Sequence, residues 1–253
     1  MRIGALATTL VLGIAIIAAT DAAAAEIKVL SVPFKAPLGQ IGPRFERETG
    51  HKLVIRYAPS APLLKQIESG EPFDVVLIFP QLVDELIKQK RVRVDSRVDI
   101  ARAGLGLAVK RGAVKPDMRS VEDFKRVLLR SQSIAYAAQG PSGVHLTGLL
   151  DRLGIAQDVQ PKLRPMGAGS LVVGPVARGE AEIAIVSIPF IVAEPGAELA
   201  APLPRELQDY VYFSSGIGSS AHDPNAAKAF VSYFRQPASV QVMKSNGLEA
   251  GPQ

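Results

Sequence analysis

The chain of 253 residues contains no cysteine. A disulfide framework, thiolate catalysis and thiolate metal sites are therefore all excluded. It has only three histidines, His51, His145 and His222. No two stand at a ligand spacing such as H-x-x-x-H, so the pattern gives no zinc site, and no metal is expected. No P-loop occurs, and no G-x-G-x-x-G follows a strand, so nucleotide cofactors lack their usual cradle; no cofactor is expected. Internal repeats, low-complexity tracts and long Pro or Gly linkers are also absent after the first thirty residues.

The formal net charge is +5, and the basic residues are scattered through helical patterns. The densest basic stretch, "KQKRVRVDSR" at 88–97, has no interleaved aromatics on which bases could stack. Nucleic acid is thus a poor partner, and a small anionic ligand suits the sign better. Arg2 precedes an apolar run of about 17 residues, Ile3 to Ala19, at the lower limit of a bilayer span, and "DAAAAE" then offers small residues at signal-peptidase spacing. The expectation is a signal peptide over 1–25, cut after Ala25, and a mature chain in the periplasm with no stable membrane insertion.

After that segment, short apolar runs alternate with helical periodicity, the pattern of βαβ units. "IKVLSV", "KLVIRYA" and "FDVVLIF" read as strands, each followed by a helix, within about 65 residues. A second set begins with "GLGLAVK" at 104–110. Ser120 and Asp123 are placed as a capping box, "SIAYAA" and "EIAIVSI" read as strands, and Asp223 caps a helix whose first residue is Pro224. The fold class expected is α/β: two doubly wound lobes, each with a mainly parallel sheet. The chain passes between them near 98–106 and 205–213, giving 26–100 with 211–253 as lobe 1 and 101–210 as lobe 2.

"GPSGVHLTGLLDRLG" joins a Gly-Ser cluster to a helical pattern. A nucleophile elbow, G-x-S-x-G, would need glycine at 144, which is Val144. Ser142 reads instead as an N-cap, which would leave the N–H groups of Gly143, Val144 and His145 free for an anion. Similar strand-to-helix corners occur at 33–39, 58–63 and 167–172. They supply Phe34, Lys35, Ser60, Ala61 and Ser170 as further candidates, with Lys35 a movable charge and the serines hydroxyl donors. His145 is open between a ligand contact and a plain first-turn polar residue.

Taken in order, "IKVLSV...APL", "FERETGHKLVIRYAPSAPLLKQIESGEPFDVVLI", "PSGVHLTGLLDRLGI", "VARGEAEIAIVSI" and "NAAKAFVSYFRQPASVQVMKSNGLE" resemble the type 2 periplasmic solute-binding proteins of ABC transporters, in the molybdate-binding-protein-like branch. The resemblance implies two lobes joined by two hinge crossovers, a ligand held between them, and an ABC transporter permease as partner of a monomeric, non-enzymatic receptor. Ser60 and the helix start at Ser142 to Val144 match the branch. Phe34 and Lys35 replace its small and serine residues in the first loop, and Ser187 with Ile188 stands where molybdate binders carry a tyrosine. Lys35 suits an organic carboxylate better than a buried oxyanion. The branch also includes a periplasmic aconitate isomerase, for which His145 and Lys35 would be the base and the clamp.

Overall fold

The computed structural model describes residues 24–251 apart from 33, 139, 140 and 168. The signal segment expected over 1–25 lies outside them except for its last two residues. Ala25 is already part of the sheet's bonding: its carbonyl accepts from Lys52 N at 2.8 Å, and its N–H donates to His51 Nδ1 at 3.1 Å.

The first half begins with β1 (Glu26–Ser31), α1 (Lys35–Thr49), β2 (Lys52–Tyr57), α2 (Ser60–Glu68), β3 (Val75–Ile78) and α3 (Pro80–Lys88). A 13-residue strand, β4 (Val98–Lys110), then carries the chain into α4 (Val121–Arg130), β5 (Ile134–Ala137), α5 (Pro141–Arg152), α6 (Ala156–Val159) and β6 (Leu163–Met166). There follow α7 (Gly174–Arg178), β7 (Ile183–Ser187), α8 (Ile188–Val192) and β8 (Ala197–Pro202). The return strand β9 (Tyr210–Ile217) leads to α9 (Pro224–Tyr233), α10 (Pro237–Ser245) and β10 (Glu249–Ala250).

The strand order is β2-β1-β3-β9-β4-β7-β5-β6, with β8 and β10 also pairing β4. Each end of this order is a parallel trio, β2-β1-β3 and β7-β5-β6. The crossover strands join them antiparallel. This is the expected two-lobe α/β architecture, with the parallel pairing confined to the outer trios, because a strand that leaves one lobe and its return must run in opposite directions.

Local chemistry accounts for the elements. Leu38, Ile41 and Phe45 put one buried stripe on α1, and Gly50 ends it in the left-handed conformation (φ 78°), with its N–H on Glu46 O at 3.0 Å. Burying a side chain such as Phe45 is worth about 2–3 kcal/mol. Every residue of β3 is buried, as an unbroken apolar run between two neighbours requires. The α4 capping box forms, with Asp123 N on Ser120 Oγ and Ser120 N on Asp123 Oδ2, both 3.1 Å. Asp223 caps α9 through the N–H groups of Asn225 and Ala226.

Four buried clusters fill the two faces of each half-sheet. One expected boundary moves. β4 starts at Val98, six residues before the expected 104, because Asp99 and Arg102 interrupt its apolar pattern. Both are accommodated in place: Asp99 accepts from Ser214 Oγ, and Arg102 pairs with Glu249 of β10 and stacks over the Tyr210 ring, 4.1 Å from its centroid.

Candidate functional site

Register decides where the corners meet. Ser31, at the end of β1, lies beside Tyr57 and Leu77, so the loops after β1, β2 and β3 leave one edge. In the other half Ala137 lies beside Met166 and Tyr136 beside Ile185, so the loops after β5, β6 and β7 share an edge too. β3 ends level with Ser214, itself paired with Asp99, whereas β7 ends level with Leu105. The two carboxyl edges thus run toward the same waist, separated along β4 by about 20 Å at roughly 3.4 Å per residue. Open α/β sheets bind ligands at this edge, beside helix starts.

On the first edge, Lys35 is the exposed first residue of α1, with Nζ 5.5 Å from the centroid of the Tyr57 ring. Burial raises the Tyr57 pKa, so the phenol there is a neutral donor. Phe34 is 4% exposed, and its ring lies 5.0 Å from that of Phe213, which is 5.9 Å from Phe79. Its side chain belongs to the core under the edge, and what it can offer a ligand is backbone. Ser60 and Ala61 open α2, the first half-buried and the second exposed.

The second edge differs from expectation at one residue. α5 starts at Pro141, so Ser142 is its second residue rather than its N-cap; the cap position falls on residue 140, outside the described residues. Gly143 is buried because α5 lies directly on the end of β5: a Cβ there would stand 1.8 Å from Ala137 O. Val144 is exposed. Ser170 lies in the 3-10 turn Gly169–Leu171, and Ser187 ends β7 in the cap position of α8 without making a side-chain cap bond.

His145 turns from both edges toward the return crossover. Its Nε2 is 2.8 Å from Leu207 O, and its Nδ1 is 3.8 Å from Asp209 Oδ2. Because a carbonyl only accepts, Nε2 carries the proton in this contact.

The fold therefore brings Lys35, Ser60 and Ala61 to one edge and Ser142, Gly143, Val144, Ser170 and Ser187 to the other. Tyr57, Phe79 and Phe213 escaped the sequence reading. Tyr57 had a usable signal, as the last residue before a strand-to-helix corner. Phe213 sits inside a strand of mixed pattern and had none. Among the described residues, no group of three His, Asp or Glu side chains is close enough to hold a metal ion.

Two hollows lie at the opposite, amino ends of the sheets. One of about 320 Å³ is bordered by Lys28, Asp74 and His222, and the Asp74 carboxylate there already accepts from the N–H groups of Lys28 and His222 at 2.7 Å each. The other, about 500 Å³, lies between Val109, Arg126, Arg130 and Ile183. Neither is lined by a residue of the four strand-to-helix corners, so the carboxyl edges carry the stronger case.

Comparison with known proteins supplies the family. Residues 28–249 match the family described as bacterial extracellular solute-binding protein. The chain belongs to that family. Within it, the chain is of the type 2, molybdate-binding-protein-like kind. It is 31% identical to an aconitate isomerase of Pseudomonas sp over 96% of this chain and 97% of that protein. To the molybdate-binding protein ModA of Azotobacter vinelandii it is 27% identical, over 90% of this chain and 92% of that one. In structure, the substrate-binding domain assigned to a molybdenum ABC transporter of Clostridium difficile superposes with a TM-score of 0.79 at 19% identity, covering 89% of this chain and 99% of that one. Among the described residues of this solute-binding protein, no helix is long and apolar enough to cross a membrane.

Proposed function

We propose that this solute-binding protein captures a small anion, an organic carboxylate or an oxyanion, between its two carboxyl edges and presents it to the permease of an ABC transporter. It does so as a monomer in the periplasm, after loss of its signal segment. What supports this reading is that helix starts follow both carboxyl edges, α1 and α2 after the first and α5 and α8 after the second, with Lys35 an exposed cation at the first. Backbone N–H groups and a lysine hold a carboxylate without any base or nucleophile. Lobe 1, 26–100 with 211–253, and lobe 2, 101–210, close on a ligand that touches both, and the closed form is what a membrane partner reads.

A second reading has the support of the 31% identical aconitate isomerase: turnover of a small tricarboxylate in the same cleft. It requires a base that removes a proton beside a carboxylate and returns it at another carbon. His145 could serve only by leaving Leu207 O or by acting through Nδ1, which faces Asp209. Lys35, the cation over the Tyr57 ring, would be the clamp in this reading and not the base.

Calorimetry against molybdate, tungstate, sulfate, citrate and trans-aconitate separates the readings, paired with an assay for conversion of trans- to cis-aconitate. One-to-one binding of an anion without conversion supports the receptor. Conversion supports the enzyme, and no heat from any of these anions counts against both.

A further inference from the structure

Strand pairing changes hands at one step on the outgoing crossover. Gly104 is the last β4 residue paired with β9, opposite Tyr210, and Leu105 is the first paired with β7, opposite Ser187. The side chain of Gln208, on the return crossover, is laid against this step. Its Oε1 accepts from Leu105 N at 2.6 Å and Asp209 N at 3.2 Å, while its Nε2 donates to Leu105 O at 3.0 Å and Leu203 O at 3.4 Å. All four hydrogen-bonding positions of the amide are used, and only this orientation matches donors to acceptors. Gly104 leaves room for it: a Cβ there would meet Gln208 Cδ and Nε2 at 3.2 Å.

The residues flanking Gln208 are held by His145, from the first turns of α5. Nε2 bonds Leu207 O on one side of Gln208, and Nδ1 faces Asp209 on the other. The α5 start that borders the cleft is thus tied to the return crossover, and the return crossover to the outgoing one, by two side chains in succession.

We propose that Gln208 and His145 form a hinge clamp, as positioning residues that fix the pivot at Gly104–Leu105 and Gln208–Tyr210 and make the α5 corner move with it. The proposal rests on the hinged-capture reading, and it locates the pivot a few residues into the segment first expected to join the lobes. Ligand contact at the α5 start is passed to the pivot through the His145–Leu207 bond. With the clamp intact, the ligand-free protein samples a narrow range of hinge angles. Without it, the range widens and apparent affinity falls with the population of the competent angle.

Because the chain has no cysteine, Lys65→Cys in α2 and Gln157→Cys in α6, both exposed and one in each lobe, accept spin labels at those two sites alone. The distance distribution between them, measured without ligand by electron double resonance, reads the hinge directly. Expected are a narrow distribution for the parent, a broadened or shifted one for Gln208→Ala, Gln208→Glu and His145→Ala, and a restored one for His145→Gln, whose amide N–H can replace Nε2–H. Should Gln208→Ala fail to fold, the isosteric Gln208→Glu carries the test, since it cannot donate to Leu105 O and Leu203 O. Unchanged distributions in the clamp variants overturn the proposal, even if their melting temperatures fall, and so does a His145→Gln variant as broad as His145→Ala. The measurement needs no ligand, so the clamp can fail while anion capture stands, and calorimetric silence can sink anion capture while the clamp stands.

Discussion

Two glycines five residues apart on α5 should respond in opposite senses to the same methyl group. At Gly143 an added Cβ would lie 1.8 Å from the carbonyl oxygen and 2.7 Å from the carbonyl carbon of Ala137, whereas at Gly148 nothing lies within 4 Å. Real Cβ contacts essentially never fall under 3.0 Å, so Gly143→Ala must drive the first turn of α5 off the end of β5 by more than 1 Å. The obstacle is backbone, which cannot swing aside, so the cost belongs at the upper end of overpacking, about 3 kcal/mol. At about 2–4 °C per kcal/mol for a chain of this size, the melting temperature should fall by about 6–12 °C. Gly148→Ala removes only the entropic handicap of an exposed helical glycine. It should gain about 1 kcal/mol and about 2–4 °C. Affinity distinguishes the pair further: displacing the α5 start by about 1 Å should weaken anion binding about 100-fold, by the sensitivity of positioned groups to such shifts, and Gly148→Ala should leave it alone. Thermal melts and calorimetry on both variants are the assay. A Gly143→Ala protein that melts and binds like its parent would refute the close docking of α5 on β5 and the placement of the site beside it.

Other expectations follow from single residues. Lys35→Met keeps the stem over Tyr57 and removes the charge; it should lower anion affinity about 10- to 100-fold, the worth of one charge-assisted bond, and equal affinity by titration would remove Lys35 from the site. Glu48, Asp123 and Glu198 have pKa values held below the ordinary carboxylate range, chiefly by hydrogen bonds from Tyr233, Ser120 and the Gly112 N–H respectively. Groups depressed in the folded state contribute stability above their unfolded values and lose it as pH falls through the folded ones, so the melting temperature should drop below about pH 4. Ser120→Ala should flatten part of that drop, and a melting temperature indifferent to acid would contradict the assignment. Under the proposed export, the expected cut after Ala25 would forfeit the bonds of Ala25 to His51 and Lys52, whereas a cut after Ala24, which has the same alanines at its recognition positions, keeps them. An intact mass beginning at Ala25 is expected, and one beginning at Glu26 would show those bonds to be dispensable.

Much of this architecture could be read from residue pattern, and the exceptions have physical causes. Buried strands such as β3 and β7 declared themselves because a strand covered on both faces is apolar throughout. Caps at Ser120 and Asp223 were legible because their chemistry is local. β6 was not: its four residues include Pro165, tolerable because it is an edge strand with one partner, and edge position is invisible along the chain. β8 and the first half of β4 hid for a related reason, since they owe their strand character to neighbours more than 80 residues away.

The candidate site divides in the same way. Corners follow from strand-to-helix order, so Lys35, Ser60 and Gly143 could be picked out. Whether a corner side chain points into the cleft or into the core depends on packing, and so the pattern could not show that Phe34 lies against Phe213 or that His145 serves Leu207. Gln208 offered no signal at all, because its importance comes from meeting Leu105, 103 residues away in the chain.

Backbone amide resonances recorded while trans-aconitate or molybdate is added test the central claim most directly. Binding between the two edges predicts that Lys35, Ser60, Gly143, Val144 and Ile188 shift together at one midpoint, from both lobes at once. Shifts confined to Lys28, Asp74 and His222, or to Val109, Arg130 and Ile183, would place the ligand in a hollow at the amino ends of the sheets and contradict the account.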